Sequence, residues 1–176
     1  EFERMSGGTM RMTPPQSRRN PADAFLVHIV DRDHPITRGM REYVWTLMDD
    51  MYTNMHWEPA TPVRVLAAAR DSAAAYDARV AGPKYPASAY GPDQLKAMPG
   101  IDQEHPQVWT AEYGQGRVLG FALGHGPDTL QYDGVQSLLI RGTEWVASGQ
   151  VTVPLKDKAK AYLEESGVVV GTPQPG

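Results

Sequence analysis

Cysteine is absent from the 176 residues of this chain, which excludes disulfide bonds, thiolate nucleophiles and cysteine-ligated metal sites. No apolar run approaches the length of a transmembrane helix and no signal peptide is visible at the N-terminus, so we expect no membrane partner. An excess of basic charge is also lacking, since 17 Lys and Arg residues stand against 21 Asp and Glu residues. Because phosphate binding requires a basic face, nucleic acid is not an expected partner either.

Motifs for nucleotides, activated serines and metals are missing as well. There is no Gly-x-Gly-x-x-Gly after a strand, no phosphate loop and no Gly-x-Ser-x-Gly elbow. His-x-His and His-Glu-x-x-His spacings are also absent. The sequence therefore predicts no cofactor, and a divalent metal stays open only if the fold brings His34, His125 and a carboxylate together.

Apolar runs separated by turn residues predict a mixed α/β domain with a core of its own. We expect strands at 24–30, 42–52 and 63–69, and a hairpin with its turn at 114–116. The strand that follows this turn is apolar on both faces, as in the interior of a sheet. We expect helices at 133–149, with Asp133 as the N-cap, and at 154–167. The stretch 71–105, rich in Pro and Gly, is predicted to be a long loop with one helical turn at 93–98.

Both convincing helices lie late in the chain, whereas a doubly wound parallel sheet needs crossover helices between its strands. The chain also begins with Glu1 rather than Met. We therefore expect it to be the C-terminal part of a layered α/β domain, with residues 1–150 as the domain and 151–176 as a C-terminal helix and tail.

The candidate for chemistry is Gly-His-Gly-Pro-Asp at 124–128, which ends an apolar strand. In open α/β sheets, ligands bind beyond the carboxyl ends of the strands. Asp128 would orient the imidazole of His125 and stabilise its protonated form, which predicts a catalytic pair. The spacing alone fits a structural histidine better, with Asp128 as the cap of the following helical turn.

Three further residues are predicted to bind substrate. His34 follows the first strand in Asp-x-Asp-His-Pro, and we expect its loop at the same sheet edge as His125. Asp50 and Tyr52 belong to the predicted strand 42–52, where adjacent residues point to opposite faces, so at most one of Asp49 and Asp50 would face a pocket. The alternatives are a plain turn around His34 and a solvated strand end at Asp50 and Tyr52.

Several stretches, taken in order, resemble the trehalose-utilisation (ThuA-like) family. They are "SGGTM", "VHIVDRDHPITRGM", "DDMYTNM", "HPQVWTAEYGQGRVLGFALGHGPDTL" and "LLIRGTEWVASG", within residues 7–149 apart from the first Ser. The resemblance implies a class I glutamine amidotransferase-like fold, which is a flavodoxin-like α/β sandwich. It also places "GHGPD" where the amidotransferases carry a His-Pro-Glu segment of a Cys-His-Glu triad. Since this chain has no cysteine, the resemblance implies a shared scaffold and site rather than glutamine hydrolysis.

The family resemblance implies a bacterial carbohydrate-metabolism protein. We expect either an enzyme, a hydrolase or isomerase acting on a disaccharide or keto-sugar derivative through His and carboxylate chemistry, or a non-catalytic sugar-binding or accessory module. The segment "GGTMRMTPP" has no histidine where the family often has one, which favours the accessory alternative. A small-molecule sugar is the expected partner, a homo-oligomer is left open, and the expected location is the cytoplasm, with export as the alternative.

Overall fold

The computed structural model of the chain describes residues 1–20, 24–46, 49–76 and 91–156. These ranges contain the α-helices α1 Phe2–Ser6, α2 Pro92–Lys96 and α3 Asp133–Ser148. They contain the strands β1 Gly8–Thr9, β2 Arg18–Arg19, β3 Leu26–Ile29, β4 Tyr43–Trp45, β5 Tyr52–Thr53, β6 His56–Trp57, β7 Val63–Arg70, β8 Glu104–Tyr113 and β9 Gly116–Phe121. Short 3-10 helices occupy Ala73–Tyr76 and Pro127–Gln131.

Five of these strands form one sheet in the order β4-β3-β7-β8-β9, and all four pairings in it are antiparallel. The mixed α/β class is thus confirmed, but the described strands do not form the parallel sheet of a flavodoxin-like sandwich. The connections explain this. The turn at Gly114 and Gln115 joins β8 to β9 directly, and so short a hairpin allows only antiparallel pairing. Residues 30–42, between β3 and β4, form turns and no crossover helix.

Most of the local predictions are confirmed. The hairpin forms at the expected turn, where Gly114 has a φ of 60°. The helix α3 ends at Gly149, whose φ of 77° is the left-handed conformation that glycine adopts readily, while its N-cap is Tyr132 rather than Asp133. The turn expected at 93–98 is α2. The helix expected at 154–167 and the tail beyond it lie largely outside the described residues.

Two predictions about strands are wrong. The segment 42–52 is not one strand, because β4 (Tyr43–Trp45) belongs to the five-stranded sheet, whereas β5 (Tyr52–Thr53) pairs with β2 in a separate ladder. The strand β9 is not interior, since it closes one end of the described sheet. Its apolar character has another cause: α3 covers one face, with Leu119 packed against Gly142, and the indole of Trp109 covers Gly120 on the other.

The core lies between the sheet and α3. Fully buried Val27, Leu66 and Val108 from the strands meet Val135 and Leu138 from the helix. Burying aliphatic side chains of this kind contributes about 1.5–3 kcal/mol each.

The N-terminal segment covers the opposite face of the sheet. Nε1 of Trp109 donates to the carbonyl oxygen of Ser6 at 2.9 Å, and the ring of Trp57 packs edge-on against Trp109 at 5.2 Å. The backbone of Gly8 lies so close to Trp57 that an added Cβ would sit 2.5 Å from the ring. The indole of Trp109 therefore joins the N-terminal helix to the sheet.

Strand direction decides which loops meet. Three antiparallel steps separate β9 from β3, so these two strands run in opposite directions, whereas β4 runs with β9. The loops after β4 and β9 therefore share one edge of the sheet, and the loop after β3 lies at the other. Within the described ranges, no helix combines the length and the apolar character needed to cross a bilayer.

Candidate functional site

The loop that follows β9 is held in place by one buried carboxylate. Oδ2 of Asp49 accepts the N–H of Gly124 at 2.8 Å, and Oδ1 accepts those of His125 at 2.9 Å and Gly126 at 3.4 Å. Oδ1 also accepts the N–H of Asp50 at 3.0 Å. The side chain of Asp49 is fully buried, so these bonds replace the water that an ionised carboxylate requires.

The backbone conformation of Gly124 makes this arrangement possible. Gly124 has a φ of 93°, a conformation that non-glycine residues rarely adopt, so that successive N–H groups converge on one point. That point is occupied by Asp49, not by a ligand. The sequence alone predicts no role for Asp49, which is considered there only as the neighbour of Asp50 on a predicted strand.

The carboxylate that faces the imidazole is Asp50. Nε2 of His125 lies 3.7 Å from Oδ2 of Asp50, too far for a direct hydrogen bond but within the range of an ion pair. Asp50 is 94% buried at its side chain, while the side chain of His125 is 54% exposed. The two carboxylates thus have different roles: Asp49 holds the backbone of the loop, and Asp50 faces the imidazole.

Arg19 and Tyr52 lie beside the pair formed by Asp50 and His125. Nη1 of Arg19 donates to Oδ2 of Asp50 at 2.9 Å. Arg19 also pairs with Tyr52 in the short β2–β5 ladder, which brings the tyrosine beside the same carboxylate. The Asp50 carboxylate thus lies between a cation, Arg19, and the imidazole of His125. In this position it can stabilise the protonated form of the ring while the ring accepts and returns a proton. The sequence contained no signal for Arg19, since it lies in a basic loop without periodicity.

The adjacent residue of β2, Arg18, reaches in a different direction. Its Nη2 donates to Oδ2 of Asp71 at 2.7 Å, and its Nη1 donates to the hydroxyl of Tyr76 at 2.6 Å. Burial, together with the Asp71 charge, raises the pKa of Tyr76 well above its usual value. These buried contacts fix β2, and with it Arg19, to the structure that follows β7.

Gln107 positions Tyr52 through its backbone. The amide Nε2 donates to the carbonyl oxygen of Tyr52 at 2.8 Å, and Oε1 accepts the N–H of Tyr52 at 3.2 Å. The carbonyl oxygen of Gln107 also accepts the N–H of Ala122 at 2.8 Å, at the end of β9. Gln107 is fully buried, so its amide needs these partners inside the protein. The sequence contained no signal for this residue, since β8 carries several other polar side chains.

A cavity of about 750 Å³ opens beside Tyr52 and His125. The polar residues in its lining are Tyr52 and His125, together with Glu3 and Thr9 of the N-terminal segment. The remaining walls are largely apolar and include the side chains of Phe2, Met10, Met12, Met55, Trp109 and Phe121. The cavity has the volume of a small-molecule binding site.

The structure does not bring His34 to this site, and its expected position at the same sheet edge is wrong. The loop after β3 lies at the opposite edge, because β3 and β9 run in opposite directions. His34 is 3% exposed, its Nδ1 accepts the N–H of Ile36 at 3.2 Å, and its ring packs edge-on against Trp145. Burial lowers the pKa of His34, and the Arg64 charge lowers it further. These contacts are those of a neutral structural histidine.

Asp128 is also placed differently from the prediction. It is exposed in the first turn of the 3-10 helix Pro127–Gln131, and its Oδ1 accepts a hydrogen bond from Nε2 of Gln131 at 3.2 Å. The carboxylate within ion-pair range of His125 is thus that of Asp50, and not that of the predicted partner Asp128.

Two other histidines, His28 and His105, have local partners. Nδ1 of His28 lies 2.9 Å from Oε1 of Glu104, and the side chain of His28 is only partly buried. Nε2 of His105 donates to the carbonyl oxygen of Gly100, with Nδ1 facing the N–H of Asn54. Across the part of the chain that the structure describes, no three His, Asp or Glu side chains are gathered as a metal site requires.

Comparison with known proteins gives one family. The model of the ThuA family, described as trehalose utilisation, matches residues 1–146. No curated protein matches the chain at a significant level.

A solved structure shares the fold. It is a ThuA-like protein from Parabacteroides merdae, 24% identical, with a TM-score of 0.58. The alignment covers 87% of this chain but 52% of that protein, so the chain spans about half the length of this relative.

Proposed function

This chain belongs to the trehalose-utilisation (ThuA-like) family, and from that premise we propose that it carries the acid–base site of an enzyme acting on a disaccharide or a keto-sugar derivative. The observation that supports the proposal is the half-exposed imidazole of His125 at a cavity of about 750 Å³, 3.7 Å from the buried carboxylate of Asp50. The sugar substrate and the cytoplasmic location expected from the sequence are parts of the same proposal.

His125 acts as the general acid and base. With a keto sugar, the neutral ring removes a proton from the carbon next to the carbonyl, and the C–H electron pair moves into the bond between the two carbons. The carbonyl oxygen takes up the displaced π pair, which gives an enediolate. The imidazolium then returns the proton to the former carbonyl carbon, and the proton of the neighbouring hydroxyl passes to the former carbonyl oxygen, which completes an isomerisation. In hydrolysis the same ring would activate a water molecule. A positioned histidine contributes about 10²–10⁴-fold to such steps.

Asp50 and Arg19 set the charge around the ring. The Asp50 carboxylate stabilises the imidazolium, and its bond to Arg19 at 2.9 Å keeps it directed at the loop. Tyr52 contributes a phenol to the same wall and is proposed to bind a sugar hydroxyl. Asp49 fixes the backbone of His125 and does not contact the substrate.

The test is proton exchange measured on the whole protein in D2O. Keto-sugars are incubated with wild type, and NMR follows deuterium at the carbon next to the carbonyl. We expect His125→Ala to slow exchange by about 10²–10⁴-fold, and Asp50→Asn to slow it less. The matched control is His56→Ala, since His56 lies in β6 and does not line the cavity. Exchange that is unchanged in His125→Ala would remove the imidazole from the mechanism.

The second candidate is a non-catalytic sugar-binding or accessory module. One observation favours it: the N–H groups of Gly124 and His125 are occupied by Asp49, so they are not available to stabilise a developing oxyanion. Saturable sugar binding that requires Tyr52, without turnover of any substrate, would select this candidate.

A further inference from the structure

The cavity is divided between a small polar region and a larger apolar one. The polar region is formed by His125 and Tyr52, beside the Asp50 carboxylate. Most of the remaining wall consists of thioether and aromatic side chains, among them Met12 and Met55. A ligand that fills the whole cavity must match both regions.

Several polar groups in these walls are already occupied. The indole N–H of Trp109 is bonded to the carbonyl oxygen of Ser6 at 2.9 Å, so the ring offers the cavity a carbon surface. The backbone N–H groups of Gly124 and His125 are bonded to Asp49. On the N-terminal segment, the hydroxyl of Thr9 donates to Oε1 of Glu3 at 3.4 Å, and Glu3 itself is exposed to solvent.

A second sugar ring would therefore be poorly matched. Its hydroxyl groups would lose water against methionine and aromatic carbon, at a cost that increases with each unpaired hydroxyl. An apolar group of the same size would gain free energy from the same contacts. Methionine is also well suited to this wall, since its flexible thioether adapts to aromatic and aliphatic groups of different shape.

From this division we infer that the site accepts a glycoside whose non-sugar part is apolar, an aryl or alkyl group, in preference to a fully hydroxylated disaccharide. The sugar lies at His125, Asp50 and Tyr52, and the apolar group lies against Met12, Met55 and Trp109. This inference rests on the proposed function, which places the sugar at His125.

Calorimetric titration of the whole protein with three probes tests the inference. The probes are phenyl β-D-glucopyranoside, methyl β-D-glucopyranoside and trehalose. We expect the phenyl glucoside to bind at least about tenfold more tightly than the methyl glucoside, because burial of the phenyl ring adds apolar area. We also expect it to bind more tightly than trehalose.

Two variants test whether the preference for the phenyl glucoside comes from the apolar wall. Met55→Gln and Met12→Gln should each reduce the phenyl-to-methyl affinity ratio about three- to tenfold and leave the methyl glucoside unchanged, because only the phenyl group contacts this wall. Met5→Gln is the matched control, since Met5 is an exposed methionine on α1 outside the lining; it should leave the ratio unchanged.

Three results of the titration would overturn the inference. They are equal affinities for the phenyl and methyl glucosides, tighter binding of trehalose, and no binding of any of the three probes. Dimerisation that Met12→Gln abolishes would assign the wall to a second copy of the chain and would also overturn it. Failure of the proposed function is detected separately, because it is measured by proton exchange in His125→Ala and not by the affinity ratio.

Discussion

The buried carboxylate of Asp49 provides the sharpest test of how this site is built. The substitution Asp49→Asn conserves the shape of the side chain, but it replaces one carboxylate oxygen by an NH2 group. If that group replaces Oδ2, a donor faces the N–H of Gly124, and the bond of 2.8 Å is lost. If it replaces Oδ1, the bonds from Asp50, His125 and Gly126 are lost instead. In either orientation at least one N–H in the loop loses its acceptor, and the others lose a charged one.

The size of the effect follows from these bonds. A hydrogen bond to a charged group contributes about 1.5–3 kcal/mol, and a buried N–H without an acceptor costs about 1–3 kcal/mol. We therefore expect the free energy of unfolding to fall by about 2–4 kcal/mol. In a domain of this size, 1 kcal/mol corresponds to roughly 2–4 °C in melting temperature. The variant should melt roughly 4–16 °C below wild type.

Catalytic activity should also fall in Asp49→Asn, because Asp49 fixes the position of His125. A displacement of the loop by about 1 Å can cost about 10²-fold in rate. If the proposed function holds, Asp49→Asn should lower kcat with little change in KM, although Asp49 does not contact substrate. Thermal and urea denaturation measure the first effect, and the deuterium-exchange assay measures the second.

The matched control is Asp128→Asn. Asp128 is an exposed carboxylate in the same loop region, and its replacement should change the free energy of unfolding by less than about 0.5 kcal/mol. A melting temperature for Asp49→Asn within about 1 °C of wild type would refute the reasoning, because the four N–H bonds would then contribute nothing to folding.

Three further substitutions test the support of the site. Gly120→Ala places a methyl group 1.9 Å from Cε2 of Trp109, so the indole must move; we expect a loss of about 1–3 kcal/mol and altered tryptophan fluorescence. Gln107→Leu leaves the N–H and carbonyl of Tyr52 without their partner, and should cost about 2–4 kcal/mol in urea denaturation. His34 has a lowered pKa in the folded state, so the unfolded chain takes up a proton first, and stability should fall as the pH drops below about 6.5; His34→Asn should flatten that part of the profile.

Each substitution has a control and a contradicting outcome. Gly91→Ala adds a methyl group at an open position and should leave the fluorescence unchanged; an equal response would contradict the account of Gly120. Gln103→Leu alters an exposed glutamine, and an equal loss there would show that Gln107 has no special role. For His34, His56→Asn serves as the comparison, and a pH profile unchanged by His34→Asn would show that this histidine is not buried in its neutral form.

Prediction from sequence succeeded where the signal was local. The glycines at 114 and 149 mark the hairpin turn and the end of α3, because both positions require a left-handed backbone. The candidate His125 was found from a strand that ends in glycine. Prediction failed for the segment 42–52, since a content of β-branched and aromatic residues does not show where a strand stops. The position of His34 was also predicted wrongly, because the edge of the sheet at which a loop lies depends on the direction of the preceding strand.

What the sequence determined by itself is the family, the α/β class, the two-residue hairpin and the amphipathic helix α3, since each depends on residues near one another in the chain or on an ordered set of motifs. Tertiary structure alone decided which carboxylates meet the imidazole. Asp49 and Gly124 are 75 positions apart, and they meet because antiparallel pairing brings the ends of β4 and β9 to one edge. Contacts at that separation are set by the order and direction of all the strands between them, which no local pattern encodes.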